Sequence, residues 1–180
     1  LYMLIPEVVG FRLSGDLPQA LILTEQALAL QKAAGDQFGV SVTLTNLLAA
    51  LYDLGAHDRL LALADEALAL KEQLGDVYGA AIVRHQHGLA AYALGDFDLA
   101  RQRLFVALQD FEAVQDRRSA GLARNVLGLV AESEGRLEEA RQDFELALAS
   151  AEAVSATSEA AYAQHDLGAL LLRLNDPQTA

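Results

Sequence analysis

The chain has no cysteine and few basic residues, and it lacks any long apolar run. Without cysteine it can hold no disulfide, no thiolate metal site and no cysteine nucleophile, and a reducing, cytoplasmic setting is the expectation. The longest apolar stretch near the start, residues 1–11, is about half of what a membrane-crossing helix needs and is broken by Pro6 and Glu7, so no membrane association is expected. No positive charge precedes it, as a secretion signal would require. The net charge is −12 and the 13 basic residues stand singly apart from Arg117 and Arg118. No basic face can therefore neutralise a row of phosphates, and direct nucleic-acid binding is not expected.

What is present is a ruler. Gly15, Gly55, Gly95, Gly135 and Asn175 stand 40 residues apart. All five tolerate the left-handed backbone found just past a helix C-terminus. A second series, Gly35, Gly75, Gln115 and Ser155, falls midway, with Asp36, Asp76 and Asp116 beside the first three. Between these marks apolar residues recur at three and four, as in Leu47, Ala50, Leu51, Leu54 and in Leu104, Ala107, Leu108, Phe111, the period of a helix.

Equivalent inner positions also align. Ala20, Ala100 and Ala140 share one place, with Leu60 the exception, while Ala27, Ala67, Ala107 and Ala147 share another, each followed by leucine. Small residues let helix backbones approach, and Gly88, Gly128 and Gly168 are expected to do the same on the first helix of three units. A single helical hairpin cannot bury its apolar stripe alone, so neighbouring copies must cover one another. The pattern predicts helices over 6–14, 17–34, 38–54, 57–74, 78–94, 97–114, 118–134, 137–154 and 158–174.

Residues 87–108 and 127–148 carry the pattern best, with L-G in the first helix, G-D or G-R at the turn, alanine five residues past the turn glycine and A-L seven later. It resembles the tetratricopeptide repeat in its long form of about 40 residues, and the likeness runs along essentially the whole chain. It implies an all-α, right-handed superhelical α-solenoid of stacked antiparallel helix pairs, about four and a half repeats in one domain over residues 1–180, with units of about 1–36, 37–76, 77–116, 117–156 and 157–180. The aromatic usual in the first helix of such repeats is replaced at Leu44, Arg84, Arg124 and Gln164.

In such arrays the first helix of each pair lines an inner groove. Carried over by position, the lining would be Val42, Thr45, Ala49 and Tyr52, then Ile82, His85, Leu89 and Tyr92. It would continue through Leu122, Asn125, Leu129 and Glu132, and end with Tyr162, His165, Ala169 and Leu172. That mixture of aliphatic floor, tyrosine hydroxyls and single polar residues suits a protein or peptide partner, although Tyr52 and Tyr92 could instead cover the seams between repeats. Thr45, Asn46, Asn125 and Asp166 offer no cationic clamp for a terminal carboxylate.

No metal, cofactor or catalytic constellation is expected. His85 and His87 point about 200° apart on a helix, His87 reads as a core residue and His57 as a turn residue. Glu138, Glu139, Asp143 and Glu145 read as a solvated face beside Arg136 and Arg141. The last helix carries Leu167, Leu170, Leu171 and Leu174, predicting an end interface through which the chain self-associates unless more chain covers it. A start without methionine suggests a piece of a larger protein. The expected function is a non-catalytic interaction scaffold; the alternative is the sensory or oligomerisation segment of a larger bacterial transcriptional regulator or signalling protein, since long-form repeats occur there as well as in kinesin light chains and cell-polarity adaptors.

Overall fold

The computed structural model describes residues 17–174, and among these every regular element is an α-helix. In chain order they are α1 (Leu17–Ala34), α2 (Gln37–Asp53), α3 (His57–Gln73), α4 (Val77–Ala93), α5 (Phe97–Ala113), α6 (Arg117–Ser133), α7 (Leu137–Ala153) and α8 (Thr157–Leu174). The helix expected over 6–14, the end marks Gly15 and Asn175 and the caps Asp16 and Asp176 lie outside the described residues.

Every described turn mark takes the left-handed conformation. At Gly55 (φ 71°) the Gly55 N–H donates to the Tyr52 carbonyl at 2.9 Å and the Ala56 N–H to the Leu51 carbonyl at 2.8 Å, the paired bonds that close a helix with a Schellman turn. Gln115 (φ 59°) and Ser155 (φ 55°) adopt the same backbone without glycine's freedom.

The first helix of each pair starts one residue earlier than expected, and in α2, α4 and α6 the acidic residue beside the second series caps the helix that follows. Asp36, Asp76 and Asp116 accept from the N–H groups of Gly39 at 2.9 Å, Gly79 at 2.8 Å and Ser119 at 3.1 Å, each satisfying one orphan donor of a first turn. The N-cap positions of α3 and α7 are Ala56 and Arg136, which make no such side-chain bond.

The chain divides at a turn into two compact units, Leu1–Leu94 and Gly95–Ala180. In the first, α1 to α4 pack each on the next and α2 also packs on α4. Its core joins Leu44, Leu47, Leu48 and Leu51 to Leu60, Ala64, Ala67 and Val83. In the second, α5 to α8 repeat the arrangement with α6 on α8, and Ala131, Ala140, Phe144 and Leu170 close its far end. Ala20, Leu60, Ala100 and Ala140 are all inaccessible, and the alanines at 27, 67, 107 and 147 nearly so.

The inner glycines are not equivalent. A Cβ at Gly128 would lie 2.5 Å from the Phe144 ring, so the glycine admits that ring, whereas nothing stands within 4 Å of one at Gly168. The close approach expected at Gly168 is therefore absent among the described residues. Volume is also traded between columns. Gln31 and Lys71 are buried beside Gly39 and Gly79, whereas Phe111 fills the same column and Ser119 stands in the glycine position. Lys71 lays its stem over Gly79 and places Nζ 2.9 Å from Asp76 Oδ2. That hydrogen bond, with the Gly79 N–H, holds the Asp76 carboxyl below its ordinary range.

Candidate functional site: the first-helix faces

In the first unit, α2 and α4 supply the predicted wall. Thr45 is half-buried and spends its hydroxyl locally, donating from Oγ1 to the Ser41 carbonyl at 3.1 Å. Ile82, Leu89 and Tyr92 are half-buried. Tyr52 keeps 36% of its surface, and its ring leans on His57, centroids 5.4 Å apart and planes tilted by 51°. Burial first, then the charges of Asp53 and Tyr92, push the Tyr52 phenol up. Tyr52 therefore does two things at once: one face covers the α2–α3 seam and the remainder faces outward near Tyr92. Burial drives the His85 imidazole down to about 4, so on this wall it is a neutral ring near pH 7.

The second unit treats the same positions differently. Asn125 Nδ2 donates to Asp166 Oδ2 at 2.8 Å, Glu132 pairs with Arg173, and Arg118 Nε donates to Glu159 Oε1 at 2.6 Å. The three bridges join α6 to α8 with partners 41 residues apart and succeed one another every seven residues, two helical turns. Asn125 and Glu132, predicted to face a partner, are thus committed to tying neighbouring first helices together. Leu129 packs on the core. Tyr162 and His165 stand out on α8, Tyr162 with 67% of its surface exposed and His165 with Nδ1 3.0 Å from Asp166 Oδ1.

The end stripe of α8 also divides. Leu170 is completely buried and so closed to an outside partner, and Leu167, partly buried, packs against the same cluster. Leu171, Leu174 and above all Leu172, 76% exposed, remain at the surface. The difference follows the helical period: 163, 167 and 170 share the face turned towards α7.

Further residues escaped the sequence reading. Arg84 and Arg124, where the usual aromatic is missing, pair with Glu72 and Glu112 twelve residues earlier, at 2.6 and 2.5 Å. The repeated E-x11-R spacing was the signal. Asp143 does not join the solvated face expected for it; its side chain is only 18% exposed, because position 143 flanks the buried stripe of Ala140, Phe144 and Ala147. His87 is buried as expected, and His57 opens α3. Among the described residues no group of three or more His, Asp or Glu is placed to hold a metal ion, and no helix is long and apolar enough to cross a membrane.

No protein-family model matches the chain, and a search of curated proteins finds no match. Solved structures do match. BtubC (BKLC) from P. vanneervenii aligns with a TM-score of 0.79 at 19% identity over 96% of this chain and 72% of that one. A Podosopora anserina kinesin light chain protein with nearly identical TPR-like repeats gives 0.74 at 16% over 96% and 86%. The MamA RS-1 ArsTM double mutant gives 0.69 at 19% over 99% and 86%. At these identities the shared property is the fold, and the chain has the TPR-like α-solenoid fold, built of repeated helix pairs.

Proposed function

We propose that the chain is a non-catalytic interaction scaffold and that the α2–α4 face of the first unit receives a protein or peptide partner. The observation that supports this most is the contrast between the two units. The α6–α8 face spends its polar groups on bridges between helices, while the α2–α4 face presents Tyr52, Ile82, Leu89 and Tyr92 as a partly open aliphatic and aromatic surface with neutral His85 among them. Tyrosine is suited to such a surface, because it offers a large rigid ring and a hydroxyl at low entropic cost.

The test is selection of peptides from a random display library on the full chain, followed by binding of the winners to the Tyr52→Ala/Tyr92→Ala double variant. Affinity should fall at least tenfold while melting shifts by only a few degrees. Peptides that bind the variant equally well, or a library that yields none, would end this reading.

A second reading concerns α8. Its exposed Leu171, Leu172 and Leu174 favour association with another copy of the chain.

A further inference from the structure

On the other side of the second unit, α5 and α7 are separated by a cleft of about 570 Å³ whose floor is the edge of α6. Asp98, Arg101, Gln102, Phe105 and Leu108 line it from α5, Arg124 and Leu127 from α6, and Glu139 and Asp143 from α7. Phe105 stands at its wall with 53% of its surface open, so an aromatic face is presented to whatever enters the cleft.

The charges around this cleft are unevenly satisfied. Arg101 is held by Asp98 and by Glu134, the latter at 2.7 and 2.8 Å. Arg124 is held by Glu112 at 2.5 Å, and Glu139 by Arg136. Asp143 is the exception. Its nearest cation among the described residues is Arg124 Nη1, 3.9 Å from Oδ1 and beyond hydrogen-bonding reach. A carboxylate with only 18% of its side chain exposed and its one cation at that distance gains from a closer cation that enters the cleft.

We propose that this cleft is a recognition site for an organic cation on an apolar stem, an arginine side chain presented by a partner peptide, with its guanidinium between the Asp143 carboxylate and the face of Phe105 and its stem against Leu108 and Leu127. A planar guanidinium suits both contacts, since it pairs with a carboxylate and stacks on an aromatic ring. The cleft has room for a side chain and part of the adjoining backbone. The protein's charge of −12 favours a basic partner.

The proposal also carries a pH dependence with a definite sign. Burial raises the Asp143 carboxyl to about 6; Glu139 adds to this while Arg124 and Arg136 oppose it, and Asp98 and Arg101 face it across the cleft. Below that value Asp143 is neutral and the attraction for a cation is lost.

The site is separate from the α2–α4 face, so Tyr52→Ala/Tyr92→Ala must leave it unchanged and the two readings fail independently. The experiment is a nuclear magnetic resonance titration of the ¹⁵N-labelled full chain with the peptide Ac-Leu-Arg-Leu-NH₂ and, in parallel, with butylguanidinium. Saturable shifts are expected at the amides of Phe105, Leu127 and Asp143 at pH 7.5. The peptide affinity should drop about tenfold in Asp143→Asn and by a similar factor in the wild type at pH 5, severalfold in Phe105→Ala, and not at all in Glu145→Gln, whose side chain pairs with Arg141 outside the cleft. Peptide binding that is indifferent to Asp143→Asn or to pH, or an absence of saturable shifts, overturns the proposal. Butylguanidinium binding as tightly as the peptide overturns the peptide as occupant and leaves a site for a free cation. Asp143→Asn relieves the desolvated charge without changing shape, so its fold, checked by circular dichroism, should survive.

Discussion

At the scale of single residues, Gly128 and His85 show how one atom or one proton governs local stability. A methyl group at Gly128 has no room beside Phe144, so Gly128→Ala should destabilise the second unit by about 1–3 kcal/mol through displacement of the ring. Gly168→Ala meets nothing within 4 Å and should be neutral or stabilise by up to about 1 kcal/mol from helix propensity alone. Urea unfolding of the two variants checks both, and equal effects would contradict the packing described. His85 titrates at about 4 in the fold against about 6.5 in an unfolded chain. Between those values the unfolded state binds more protons, so His85 costs stability as pH falls through that window, on the order of 3 kcal/mol in all. Asp143 acts with the opposite sign, because the folded form takes up its proton near 6 while the unfolded carboxyl stays ionised down to about 4. Comparing unfolding midpoints at pH 7 and pH 5, His85→Leu should lose its share of the acid destabilisation and Asp143→Asn should gain most at pH 7.

At the scale of elements, the α6–α8 bridges fasten the last described helix. Their outer members are exposed ion pairs that contribute little, whereas Asn125–Asp166 is partly buried and leaves an unpaired amide if cut. Asp166→Ala should therefore raise amide hydrogen exchange along α8 severalfold while exchange in α2 and α4 stays unchanged; uniform acceleration in both units would refute a local role. Helix starts and stops were legible in the sequence to within a residue, since they depend on capping side chains and left-handed turns that local chemistry dictates. The α6–α8 bridges were not. They join residues 41 apart, one more than the 40-residue repeat, and a scan for identical positions passes over partners displaced by a residue. The candidate faces were half legible: spacing put Thr45, Tyr52, Ile82, His85, Leu89 and Tyr92 on two helix faces, but not that Tyr52 also leans on His57.

At the scale of the whole molecule, excess negative charge and an exposed leucine cluster pull in opposite directions. Mutual repulsion at −12 keeps copies apart at low salt, while Leu171, Leu172 and Leu174 favour contact. Sedimentation velocity of the full chain should show association that grows with concentration and with salt and disappears in Leu172→Glu; a monomer at every concentration and salt tested would remove the α8 reading. The repeat length, the helical class and the alanine contacts were determined by the sequence alone, because they arise from short-range sterics and from a period that any stacked hairpin must obey. Only the tertiary structure decided which polar residues bind each other and which stay available. Asn125 and Glu132 were turned inward to a neighbouring helix, Leu167 and Leu170 were taken into the core, and Asp143 was drawn from the surface into a cleft. Each outcome depends on the distance and angle between elements far apart in the chain, which no local pattern encodes.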